Sequence, residues 1–80
     1  MRQSLAAYAL AEGMAYMVYG AVNADCTEEQ RIAAYREWKC KVATYAAADG
    51  CDLVDERGNR LSTREACDLI NVGIVVEVVS

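Results

Sequence analysis

Residues 27–50 read TEEQRIAAYREWKCKVATYAAADG and contain the clearest helix signal in the chain. Thr27 is followed three positions later by Gln30, the spacing of a capping box, in which each side chain satisfies the other residue's backbone N–H. Gly50 stands at the far end, where glycine adopts the left-handed conformation that commonly closes a helix. The sequence therefore predicts a helix over residues 27–48.

The predicted helix is amphipathic. At about 100° per residue, its apolar side chains form one face, made of Tyr35, Trp38, Val42 and Tyr45 and widened by Ile32, Ala34 and Ala46. The opposite face carries Glu29, Arg36, Glu37, Cys40, Lys41 and Thr44. We expect the apolar face to pack against the rest of the domain.

Residues 1–24 form a second apolar segment, MRQSLAAYALAEGMAYMVYGAVNA. Its positive start, its apolar middle and the small residues at 22–24 imitate a secretory signal. Glu12 interrupts the apolar middle, and the segment is too short and too interrupted for a membrane span, which takes about 20 apolar residues. We therefore expect a helix over residues 4–20, closed by Gly20.

The expected first helix has two apolar faces. One carries Leu5, Tyr8, Ala15, Tyr16 and Tyr19, with Glu12 among them, and the other carries Ala7, Leu10, Met14, Met17 and Val18. A domain of 80 residues can hardly cover both faces, and tyrosine is enriched in interface cores. The candidate partner-binding residues are therefore Tyr8, Glu12, Tyr16 and Tyr19. The alternative is that one face meets the core and the tyrosines lie half exposed.

The C-terminal part of the chain contains strand signals. Residues 51–55 and 60–62 flank a turn-rich segment, which predicts a β-hairpin. Ser62-Thr63-Arg64-Glu65 is a second capping box, and it begins a short helix through about Asn71. Residues 74–79 are a β-branched run broken by one glutamate, which predicts a strand that pairs beside the first strand of the hairpin.

These elements predict an α+β fold in a single domain over residues 1–80. Residues 1–50 form an antiparallel helical hairpin, since the connection between its helices is short. This hairpin packs on a small, three-stranded, mainly antiparallel sheet with one short additional helix, in the order α-α-β-β-α-β.

Composition excludes several kinds of chemistry. The net charge of −4 argues against direct binding to nucleic-acid phosphates. Histidine is absent, which removes the commonest general base and the commonest metal ligand. The chain also lacks the glycine-rich loops that hold nucleotide phosphates. We expect no cofactor, no metal site, no membrane association, no small-molecule substrate and no enzymatic activity.

The four cysteines, Cys26, Cys40, Cys51 and Cys67, contain no C-x-x-C pair. Thiolate metal sites usually need such a pair. Two disulfides are possible in a secreted protein, whereas reduced cysteines acting as small core residues are usual in the cytosol, and we favour the second interpretation.

Three weaker chemical signals are set aside. Glu12 in a tyrosine-lined face resembles a buried acid, but no partner acid, lysine or histidine lies near it in sequence. Cys40, between two lysines, resembles an activated thiolate, but helical neighbours point in different directions. Asp52, Asp55 and Glu56 resemble an acid pair, but a hairpin turn offers no cleft.

A non-enzymatic protein-interaction module remains the favoured function, one that binds and modulates or inhibits a larger protein partner in a bacterial cytoplasm. In size and acidity, and in no motif, the chain resembles inhibitors from phages and mobile elements, including anti-CRISPR proteins. One alternative is a self-assembling structural subunit, for instance of a virion, that uses the first helix or a sheet edge. A second is a metal or redox module built on the cysteines.

Overall fold

The computed structural model describes residues 1–14 and 26–80. Within these residues the fold is α+β, as predicted, with three helices and a four-stranded antiparallel sheet. In chain order the elements are β1 (Arg2–Ser4), α1 (Leu5–Ala11), α2 (Glu28–Ala48), β2 (Asp52–Val54), β3 (Arg60–Leu61), α3 (Thr63–Asn71) and β4 (Glu77–Val79).

The sheet has the strand order β1-β4-β2-β3, and every pairing is antiparallel. Val78 of the central strand β4 lies opposite Gln3 of β1 on one side and Leu53 of β2 on the other. The predicted pairing of the last strand with the first hairpin strand is therefore confirmed. The apolar strand β4 lies between β1 and β2 and is not at an edge of the sheet.

The prediction of three strands was wrong, because the first strand was missed. β1 reads Arg-Gln-Ser, which has neither the β-branched residues nor the alternation that identify a strand. The Arg2 side chain helps to attach β1 to its neighbours. Its Nε donates to Glu77 Oε1 at 2.9 Å, and its Nη2 donates to the carbonyl oxygens of Asp55 and Glu56, each at 2.9 Å. One guanidinium thus joins β1, β4 and the β2–β3 turn.

The first helix is shorter than predicted. Ser4 caps α1 by accepting a hydrogen bond from the Ala7 N–H, and the helix ends at Ala11. Gly13 then takes φ +73°, and the Met14 N–H donates to the Ala9 carbonyl at 2.8 Å, which closes the helix as a Schellman motif. The described chain therefore begins strand–helix, not with the long arm of a helical hairpin. The rest of the helix expected over residues 4–20 lies outside the described residues.

The ends of α2 and α3 confirm the capping predictions. In α2, the Gln30 N–H donates to Thr27 Oγ1 at 3.1 Å and the Thr27 N–H donates to Gln30 Oε1 at 2.9 Å. Ser62 and Glu65 form the same reciprocal pair at the start of α3. Gly50 and Gly73 follow the C-caps of the two helices with positive φ.

The core forms where α1 and the sheet meet the second half of α2. Its buried residues are Leu5, Tyr8, Ala9, Trp38, Val42, Ala43, Ala46, Leu53, Ala66, Ile70, Val76 and Val78. The expected apolar face of α2 is confirmed for Trp38 and Val42, but Tyr35 and Tyr45 are exposed. The buried side is displaced because α3 packs along the side of α2 that carries Cys40, where a solvated face was expected.

None of the helices within residues 1–14 and 26–80 combines the length and apolarity needed to cross a membrane.

Candidate functional site

The structure places Tyr8, the first candidate partner-binding residue, in the core. Its side chain is 3 % exposed, and its hydroxyl donates to Asp49 Oδ2 at 3.4 Å. Burial, with the neighbouring Cys51 and Asp49 groups, raises the pKa of Tyr8 well above its ordinary value. The ring therefore joins α1 to the end of α2 and is not presented to a partner.

The other three candidate partner-binding residues form no described surface with Tyr8. Glu12 is the C-cap residue of α1 and is exposed, so the buried-acid hypothesis is wrong. Tyr16 and Tyr19 lie outside the described residues. The structure thus brings none of the four together in a described surface.

A groove of about 730 Å³ lies beside the first half of α2. Its lining residues come from α2 on one side and from the end of α3 with the α3–β4 connection on the other: Glu28, Arg31, Ile32, Tyr35, Arg36, Lys39, Ile70, Gly73, Ile74 and Val75. We call this surface the α2 groove. Apolar and cationic side chains both line it.

The apolar part of the α2 groove consists of side chains that the sequence predicted to be buried. Ile32, Tyr35, Ile74 and Val75 are between 39 % and 49 % exposed. β4 begins only at Glu77, so the strand predicted over residues 74–79 is half as long as expected. Ile74 and Val75, which precede it, form the groove wall instead.

Gly73 and Arg36 fix the position of that wall. Gly73 has φ +82° and ends α3, and the Ile74 N–H donates back to the Leu69 carbonyl at 2.9 Å. Arg36 reaches across from α2, and its Nη1 donates to the Asn71 carbonyl at 3.0 Å. A cation at this point satisfies an otherwise open carbonyl at the helix end and complements the helix dipole.

Three cations and one carboxylate line the α2 groove. The Lys39 ammonium lies 4.8 Å from the centre of the Tyr35 ring, a cation–π distance, and the Tyr35 ring in turn contacts Trp38, with ring centroids 5.4 Å apart. The ion pairs among described residues involve Arg2, Lys41 and Arg60. Arg31, Arg36 and Lys39 form no ion pair with a carboxylate of residues 1–14 and 26–80.

The carboxylates of the hairpin build the turn and do not form an acid pair. Asp55 Oδ1 accepts hydrogen bonds from the backbone N–H groups of Arg57 and Asn59, each at 2.9 Å. These bonds, that of Asn59 first, hold the pKa of Asp55 below its ordinary value. Asp52 pairs with Arg60 at 3.5 Å. Both carboxylates are thus engaged in structural contacts.

The cysteines carry no disulfide, and the described residues contain no group of three or more acidic, cysteine or histidine side chains that could hold a metal ion. Cys40 faces Cys67 of α3, with its Sγ 3.8 Å from the Cys67 carbonyl oxygen. Burial, and then the neighbouring Cys67 thiol, raise the pKa of Cys40 to about 12. The raised pKa gives no support to an activated Cys40 thiolate, the interpretation that the sequence analysis set aside.

Comparison of the chain with protein-family models, with curated proteins and with solved structures finds no match in any of the three. The α2 groove thus has to be interpreted from its own chemistry. One signal for it was present in the sequence: Arg31, Tyr35 and Lys39 are spaced four residues apart, so they lie along one side of a helix. The wall across from them carries no comparable signal.

Proposed function

We propose that the chain is a non-enzymatic protein-interaction module whose α2 groove binds an acidic segment with apolar side chains on a larger protein partner. The observation that carries this proposal is the set of exposed apolar side chains in the groove. Three cations border them, although the chain as a whole is acidic. Contiguous exposed apolar side chains with a polar rim are typical of interaction sites.

The shape of the α2 groove suits a peptide segment. Arg31 and Lys39 are eight residues apart, so the stripe between them extends over roughly 12 Å of helix. Ile32 and Tyr35 supply apolar contact along that length, and Val75 supplies it from the opposite wall. A segment laid between the walls would bury apolar side chains on both sides.

The charge of the groove favours an acidic segment. Its three cations face one carboxylate, Glu28, whereas the whole chain carries a net charge of −4. A partner with a basic segment would be attracted elsewhere on the molecule, so charge selects both the partner and the face. Because Arg31 is exposed and Arg36 and Lys39 are partly exposed, binding should weaken as salt rises.

A module of this kind modulates its partner by occupying a surface that the partner needs. The chain resembles phage and mobile-element inhibitors in size and acidity. As part of this proposal, the partner is therefore a host protein.

Self-assembly through a sheet edge is the less favourable alternative. The edge strands β1 and β3 have three and two residues and carry Arg2 and Arg60. Short, charged edges resist pairing with another chain. A second copy of the chain would therefore have to use another surface.

The test is affinity capture from a bacterial lysate with three tagged proteins: the unaltered chain, an Arg31→Glu/Lys39→Glu variant and a Lys41→Glu control on the same helix. Lys41 does not line the groove. We expect the unaltered chain and the control to retain one stoichiometric protein, and the double variant to bind it at least about tenfold more weakly. Overlapping peptides of that protein should bind where acidic and apolar residues coincide.

Equal capture by all three proteins would exclude the α2 groove as the binding surface. Elution without any partner would contradict the interaction proposal, and a mass several times that of one chain would then support self-assembly.

A further inference from the structure

Two cysteines face each other across the contact between α2 and α3. Cys40 Sγ lies 3.8 Å from the Cys67 carbonyl oxygen, and Cys67 Sγ lies 3.9 Å from the Cys40 carbonyl oxygen. Each thiol thus donates to the backbone carbonyl of the other cysteine. Each side chain therefore lies against the backbone of the other cysteine.

The helices approach closely at this point. Ala43, one turn beyond Cys40, and Ala66, beside Cys67, are both fully buried, and small side chains allow two backbones to come near. A disulfide requires close backbones and converging Cβ directions. The contact of each sulfur with the carbonyl oxygen of the other cysteine shows that the two backbones are close.

We propose that Cys40 and Cys67 are a redox modification site that closes to an intramolecular disulfide by exchange with a small disulfide of the glutathione type. Both side chains are partly exposed, so a small disulfide can reach them. The other two cysteines are not part of the pair; Cys51 instead interacts with Tyr8.

The exchange proceeds in two balanced steps. The Cys67 thiol loses its proton, and its sulfur attacks one sulfur of the small disulfide, which forms a mixed disulfide and releases one small thiolate. The Cys40 sulfur, after losing its proton, then attacks the Cys67 sulfur and releases the second small thiolate. Both thiolates take up the released protons. The two cysteines are oxidised, and one small disulfide is reduced to two thiols.

The environment of Cys40 leaves the first step to Cys67. Its pKa is raised to about 12 by burial and by the neighbouring thiol, so it is a poor first nucleophile at neutral pH. Once Cys67 is in the mixed disulfide, its thiol no longer raises the pKa of Cys40, but burial, the larger cause, still does. Oxidation should therefore be slow near pH 7 and faster at alkaline pH.

The disulfide would also brace the α2 groove. Cys40 lies one turn after Arg36 in α2, and Cys67 lies one turn before Asn71 in α3, and Arg36 and Asn71 are joined by the hydrogen bond that positions the groove wall. A cross-link next to this bond would hold the two walls together. This consequence rests on the proposed function, whereas formation of the disulfide does not.

The experiment is oxidation of the full chain with oxidised glutathione, at neutral and at alkaline pH, followed by intact mass and non-reducing peptide mapping. We expect one cross-linked peptide pair containing Cys40 and Cys67, with a mass lower by two hydrogen atoms than the sum of its two reduced peptides. The same disulfide should form in a Cys26→Ser/Cys51→Ser variant. The oxidised variant should have a higher thermal midpoint than the reduced variant. Cys40→Ser should instead stop at glutathione bound to Cys67.

Two results would overturn the proposal. One is a cross-link that includes Cys26 or Cys51 in the unaltered chain. The other is a chain in which Cys40 and Cys67 stay reduced under conditions that oxidise an exposed dithiol peptide added as a control. Because mapping of the unaltered chain decides both, failure of a variant to fold does not affect the conclusion.

Discussion

The two halves of α2 differ in what they contact. Residues 28–37 include no buried side chain, whereas Trp38, Val42, Ala43 and Ala46 in the second half are all buried. One continuous helix is therefore surface at one end and core at the other. Apolar residues occur in both halves, since Ile32 and Tyr35 lie in the first.

The difference between the halves comes from their neighbours. The second half is enclosed by α1, by the sheet and by α3, and Trp38 Nε1 also donates to the Met14 carbonyl at 3.2 Å. The first half is held by its capping box and by the Arg36 contact to α3. Because little of its apolar surface is covered, substitutions in the first half should disturb the core less than substitutions in the second.

The largest test of this comparison replaces one apolar residue in each half. Trp38→Ala should lower the free energy of unfolding by about 3–5 kcal/mol, because it leaves a cavity and removes a hydrogen bond to Met14. Ile32→Ala should lower it by about 1 kcal/mol or less, since Ile32 is 44 % exposed. Urea denaturation measures both values. Similar losses in the two variants would mean that the halves do not differ.

A smaller effect is expected at the boundary between the halves. Arg36→Ala should lower the free energy of unfolding by about 0.5–1.5 kcal/mol, because the Asn71 carbonyl loses its donor. Arg31→Ala is the matched control and should stay within about 0.5 kcal/mol of the unaltered chain. If the two variants were equally stable, Arg36 would not hold the groove wall, and the wall would have to be positioned by Gly73 alone.

The parts of the fold that follow from local chemistry were predictable from sequence. Both capping boxes fix helix starts within a few residues, and Gly50 and Gly73 fix helix ends. The first helix was predicted to be too long because Gly13 was not recognised as its end, although it takes the same left-handed conformation. β1 was not predictable in this way, since its residues carry no strand signal and its pairing depends on β4.

The candidate site was harder to predict than the fold. Helical periodicity shows which residues share a face, but the choice between core and surface depends on which neighbours pack there. The tyrosine hypothesis placed Tyr8 on a surface, whereas α1 turns it into the core. Tyr35 and Ile74, expected inside, line the α2 groove because no described element covers them fully.

The smallest expected effect concerns the capping boxes at the starts of α2 and α3, which should respond differently to pH. The two capping boxes have the same hydrogen bonds, but α2 uses the neutral Gln30 and α3 uses the ionisable Glu65. The hydrogen bonds from the Ser62 backbone and side chain lower the pKa of Glu65. A carboxyl whose pKa is lower in the folded chain stabilises it above the unfolded pKa of about 4.5 and loses that contribution as the pH falls through the folded value.

Glu65→Gln should therefore flatten the decline in unfolding free energy below about pH 4.5, where the unfolded carboxyl begins to protonate. Gln30→Glu should steepen it by adding a second ionisable cap, so that the exposed half of α2 acquires an acid sensitivity that it lacks. Urea denaturation between pH 3 and pH 7 measures both slopes relative to the unaltered chain, which cancels the contribution of Asp55. If Gln30→Glu left the slope unchanged, the capping box at Thr27 would not be what holds the first half of α2, and its stability would have to come from contacts along the groove.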